Sequence, residues 1–144
     1  MEKKQIFLEF KIIWKDEDML EIKISASNGL YAGSTNVYDQ ALCLHEFSMN
    51  LNGYPRNNRT LFYDIGEKDG YAYFSMKYYT IDNFGHIGVE IYMESNVPTD
   101  YRYEEKNKLK IEIIVEPNSI DNFQKELLTM LNKKEGIAVL IGIK

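Results

Sequence analysis

Cysteine and long apolar runs are what this chain has least of. Cys43 is the single cysteine among 144 residues, so an intrachain disulfide and a zinc site built on several thiolates are excluded. The longest apolar run, Ile137 to Ile143, is far too short to cross a bilayer. The N-terminus, MEKKQIFLEF, alternates charged and apolar residues and lacks the apolar core and cleavage site of a signal peptide. Positive charge is also in deficit: 17 Lys and Arg stand against 22 Asp and Glu, a net charge of −5. Nucleic-acid binding depends on phosphate neutralisation, so this balance argues against it. The expectation is a cytoplasmic protein with neither a membrane nor a nucleic-acid partner, and the charge would suit a basic protein partner.

Chemical signatures are missing as well. Gly29 and Gly33 belong to a hairpin rather than to a strand-to-helix turn, so no phosphate-binding loop is present. Asp16, Glu17, Asp18 and Glu21 form an acidic cluster without the glycine and terminal glutamate of a calcium loop, and a solvated turn is the plainer reading. Cys43 and His45 fall about 200° apart on a helix and cannot face each other; Cys43 reads as an edge-of-core residue and His45 as surface. His86 follows a turn containing Asp82, and Ser25 and Ser75 lie on strands, but nothing resembles a nucleophile elbow. No catalytic residue, metal or cofactor is therefore assigned.

What is present is alternation. From Met19, the residues Leu20, Ile22, Ile24 and Ala26 point one way while Glu21, Lys23, Ser25 and Ser27 point the other, the mark of a half-buried strand. Asn28-Gly29 reads as a type I′ turn with two positive-φ residues, followed by a small-residue strand in which Gly33 marks a bulge or close packing. A first strand over Gln5 to Trp14 places Ile6, Leu8, Phe10, Ile12 and Trp14 on one face. A helix from an Asp39 cap to Asn52 carries Leu44, Phe47 and Leu51 in one stripe, with Leu42 and Met49 opposite. Strands then follow over 60–67, 71–81, 86–94 and 108–116, with a polar loop over 95–106. A second helix begins near Asn118 or Ser119 with Ile120, Phe123, Leu127, Met130 and Leu131 on one side. The tail 137–143 is a last strand, apolar on both faces; such a strand is either central and covered or pairs with another chain as a homodimer. The prediction is a single α+β domain over 1–144: a largely antiparallel sheet of about seven to eight strands with two helices packed on one face.

Eleven tyrosines are the other excess. Alternation aims Tyr71, Tyr73, Tyr79 and Tyr92 outward among Lys77, Glu90, Glu94, Lys110 and Glu112. Tyrosine offers large contact area with a polar tip and is enriched at protein interfaces, although it also favours ordinary cross-strand pairing. Tyr73, Lys77, Tyr79, Glu90 and Tyr92 are the predicted partner-contact residues.

The run Trp14-x-Asp16-x-Asp18-Met19-x-Glu21-Ile22-x-Ile24, with Asn28-Gly29-x-Tyr31-x-Gly33, resembles a bacterial family of small uncharacterised α+β proteins; Gly85-His86 and the segment 116–123 are similar too. The resemblance implies no catalytic residues, and by analogy of size, charge and fold it points toward immunity proteins that neutralise toxins. Three functions stay open from the sequence: a non-catalytic protein-binding module, an enzyme or small-ligand binder with a pocket between sheet and helices, and a homo-oligomeric structural protein.

Overall fold

A computed structural model describes residues 5–56, 59–95 and 106–143; most of the predicted 95–106 loop lies outside the described residues. The chain runs β1 (Phe7–Lys15), β2 (Met19–Ser27), β3 (Ala32–Gln40), α1 (Ala41–Asn50), β4 (Thr60–Gly66), β5 (Tyr73–Thr80), β6 (Ile87–Glu94), β7 (Lys108–Val115), α2 (Pro117–Lys133) and β8 (Ile137–Ile141). The fold is α+β, and all strand pairing among the described residues is antiparallel. The eight strands divide into two four-stranded sheets, sheet A in the order β3-β2-β1-β8 and sheet B in the order β4-β5-β6-β7.

Hairpin chemistry makes the local connections. In the β1–β2 turn the Asp16 carboxylate accepts the backbone N–H groups of Asp18 and Met19, at 2.9 and 2.7 Å. The β2–β3 turn differs from a two-residue I′ turn. Only Gly29 takes positive φ, at 93°, while the Asn28 side chain accepts the N–H groups of Leu30 and Tyr31. That Asx arrangement makes the reversal two residues longer and starts β3 at Ala32. In the β5–β6 turn, Asp82 accepts the Phe84 N–H and Gly85 takes φ 88°, as a tight reversal requires.

Alternation decides which face is buried. Leu20, Ile22, Ile24 and Ala26 of β2, Phe74, Met76 and Tyr78 of β5, and Ile87, Val89, Ile91 and Met93 of β6 are all buried. Both helices add the apolar stripes read from the sequence: Leu44, Phe47 and Leu51 at α1, and Ile120, Phe123, Leu127, Met130 and Leu131 of α2. The two sheets and the helices share one hydrophobic cluster. At its centre the Phe10 ring meets Phe74 of sheet B at 5.5 Å and Phe123 of α2 at 5.7 Å, both edge to face.

Sheet A is fastened to sheet B at both edges. On one side the Thr35 hydroxyl donates to the Glu94 carbonyl at 2.7 Å, and the Tyr63 hydroxyl donates to the Asp39 carboxylate. Gly33 is a site of close packing, since a Cβ there would lie 2.8 Å from a Leu109 methyl. On the other side the N–H of Ile143 donates to the Ile114 carbonyl at 2.7 Å.

Three further expectations change. Trp14 is not on the inward face of β1. The register shifts between Ile12, paired with Ile22, and Trp14, paired with Glu21; this bulge turns the indole outward. Asp39 is not the cap of α1, because β3 runs directly into the helix through Gln40 and the Asp39 carboxylate is held by Tyr63. β8 is neither central nor covered on both faces: it is an edge strand of sheet A, with Ala138 and Leu140 buried and Ile137 and Ile141 about half exposed.

Candidate functional site

Neither helix covers the outer face of sheet B, which carries the predicted contact residues. Its residues form rows across the four strands, because cross-strand partners in an antiparallel ladder share a face. One row is Phe62, Lys77, Glu90 and Glu112. The next, toward the C-terminal end of β6, is Asp64, Ser75, Tyr92 and Lys110, followed by Gly66, Tyr73, Glu94 and Lys108. On the other side lie Thr60, Tyr79, Gly88 and Ile114. All five predicted contact residues therefore lie on this one face.

Their surroundings differ. Lys77 is exposed, and Tyr79, Glu90 and Tyr92 are partly so, but Tyr73 is only 8% exposed. Three tyrosine hydroxyls are tied to carboxylates: Tyr73 donates to Asp64 at 2.9 Å, Tyr79 to Glu112 and Tyr92 to Glu94. The Tyr79 ring lies over Gly88, in the space where any other residue would place its Cβ. The Tyr73 and Tyr92 rings meet at 5.9 Å, and the Lys68 ammonium sits 5.7 Å from the centre of the Tyr92 ring. Lys110 lies 3.8 Å from the Glu90 carboxylate.

Glu94 closes one end of this face. Alternation puts it on the outward side, yet its side chain and that of Lys106 are both fully buried, with Nζ 3.2 Å from Oε1. Oε1 also accepts the Asp69 N–H at 2.8 Å, and the Lys106 ammonium donates to the Gly70 carbonyl. The 67–70 turn thus folds over the pair. Burial opposes ionisation of Glu94, but the Tyr92 hydroxyl, the Asp69 N–H and Lys106 outweigh it and hold the carboxyl below its ordinary value.

Sequence reading missed Phe62, which is 57% exposed, and Ile114, which is 39% exposed. The signal for Phe62 was there, since Leu61, Tyr63 and Ile65 alternate with it along β4.

The other candidates do not assemble. His86 Nδ1 lies 2.7 Å from Asp82 Oδ2, and this contact is the main cause of the lowered Asp82 pKa. Ser75, however, pairs with Tyr92, five residues or about 16 Å along the strand from Ile87, and Ser25 pairs with the Ser34 hydroxyl in sheet A. Cys43 is exposed rather than at the core edge; partial desolvation, with Asp39 and Glu46, pushes its thiol pKa up and disfavours a nucleophilic thiolate. Among the described residues no three His, Cys, Asp or Glu side chains are grouped to hold a metal ion, and no helix is long and apolar enough to cross a membrane. The space between the sheets and helices is filled by Phe10, Phe74 and Phe123, while a groove between α1 and α2, lined by Leu42, His45, Met49 and Leu128, lies on the surface. Comparison with protein-family models, curated proteins and solved structures found no match.

Proposed function

We propose that this chain is a non-catalytic cytoplasmic module that binds a protein partner through the outer face of sheet B. The observation that carries the reading is the row Phe62–Lys77–Glu90–Glu112, an exposed aromatic and three charged residues on a rigid sheet face that neither helix covers. Tyr79 and Tyr92 flank it with hydroxyls already tethered to Glu112 and Glu94, so their rings lose little further freedom on binding. Large, preorganised aromatic groups among charged neighbours are the composition of binding hot spots. The resemblance noted in the sequence adds a toxin as the partner, neutralised by occlusion.

The test is affinity capture from the native host, followed by titration of the purified partner. Phe62→Ala and Tyr79→Ala are each expected to weaken binding by about 2 kcal/mol or more, while Leu42→Ala on α1 leaves it unchanged. Equal affinity for all three variants would remove the face from consideration. A partner that arrests growth when expressed alone, and not with this chain, would support the toxin reading.

A further inference from the structure

We propose that Trp14, Glu21 and Tyr38 on the outer face of sheet A form a clamp for an arginine or lysine side chain in a basic segment of a protein partner. The register places the three in one row, with Trp14 opposite Glu21 and Glu21 opposite Tyr38. The bulge in β1 is what brings Trp14 into that row. β1 and β3 are not neighbours, so their backbones are two strand spacings, about 10 Å, apart. The two rings nevertheless lean toward each other across β2, with centroids 6.2 Å apart and planes at 70°. They form two walls of a corner, and each is about half exposed, at 47% and 50%.

The corner has an anionic base. Glu21 lies between the two aromatic residues in the row, and among the described residues it has no ion-pair partner. Its carboxylate accepts a hydrogen bond from the Tyr38 hydroxyl; its negative charge first, then desolvation and that hydrogen bond, raise the pKa of the hydroxyl. The adjoining turn adds the exposed acids Glu17 and Asp18, while Asp16 is occupied by backbone N–H groups. Opposing cations are Lys11 and Lys23, cross-strand partners on the same face, together with Lys15 and Lys134, the last donating to the Glu17 carbonyl. Aromatic faces attract cations through their quadrupole, and a carboxylate beside them that has no ion-pair partner among the described residues completes the match to a guanidinium or ammonium group. A nucleotide would stack on the same rings, but its phosphate would meet the acidic turn. The net charge of −5 steers a basic segment toward the surface. This site is on a different sheet from the Phe62 row, so either proposal can fail without the other.

Trp14 is the only tryptophan, so its fluorescence reports on the site alone. The experiment titrates the full chain with a hexa-arginine peptide, a serine-alanine peptide of equal length, and tetramethylammonium. The expected result is a saturable change in Trp14 emission with the arginine peptide and none with the neutral one. Glu21→Gln is expected to weaken it about tenfold and Tyr38→Ala about threefold, whereas Glu46→Gln on α1, which removes the same charge, leaves it within about twofold. No change in emission, or equal loss in Glu21→Gln and Glu46→Gln, overturns the proposal: the first means no site and the second a general charge effect. Saturation by tetramethylammonium at the same concentration as the peptide overturns the protein-partner assignment.

Discussion

Glu94 is where alternation and burial part company. Its place on β6 makes it an outward residue, but the 67–70 turn and Lys106 bury it completely. A buried pair contributes little net stability when intact and costs much when halved, because the remaining charge has no partner. Glu94→Gln or Lys106→Met is therefore expected to destabilise the fold by about 3 kcal/mol, and Glu94→Gln with Lys106→Met by less than the sum, in urea denaturation. The pH dependence has a definite sign. A carboxyl held below its ordinary value of 4.5 contributes stability above that pH and loses it as pH falls through the lowered folded value. Acid titration of stability should show a decline below pH 4.5 that is shallower in Glu94→Gln; an identical decline would mean that other carboxylates account for it.

At the scale of elements, β8 shows how an apolar edge strand is managed. Ile12 donates to the Gly136 carbonyl and Gly142 to the Ile6 carbonyl, so the even-numbered residues face β1 and the N–H groups of 137, 139, 141 and 143 point away. Two of these are occupied: Val139 donates to the Glu126 carboxylate of α2 at 2.9 Å, and Ile143 to Ile114. The sequence showed a strand apolar on both faces and left homodimerisation through it open; the helix that precedes it supplies the group that blocks its middle. Glu126→Ala is expected to cost about 1 kcal/mol and to raise self-association, seen by light scattering as a mass that grows with concentration. A mass independent of concentration in that variant would show that Glu126 does not guard the edge.

Across the whole molecule, the inner faces of the two sheets share one core, so the sheets are expected to unfold as one cooperative unit. Phe10 belongs to sheet A, Phe74 to sheet B and Phe123 to α2, and the Phe10 ring packs against both of the others. Phe10→Ala is expected to lower stability by about 4 kcal/mol while keeping a single unfolding transition by both fluorescence and circular dichroism. Two separate transitions would mean that the sheets unfold independently.

Much of this was legible from residues alone. The inward sets of β2, β5 and β6 and the stripes of both helices followed from period two and period 3.6, because burying one face is a local requirement that each segment writes into its own pattern. The outward placement of Lys77, Tyr79, Glu90 and Tyr92 followed from the same pattern. Tertiary structure decided what depends on distant partners: the division of eight strands into two sheets, the bulge that turns Trp14 outward beside Glu21 and Tyr38, the burial of Glu94 under a turn from another hairpin, and the Glu126 contact that closes β8. Alternation records which side of a strand is apolar. Which strand lies beside it, and whether one inserted residue shifts the register, is set by hydrogen bonds between segments far apart in the chain.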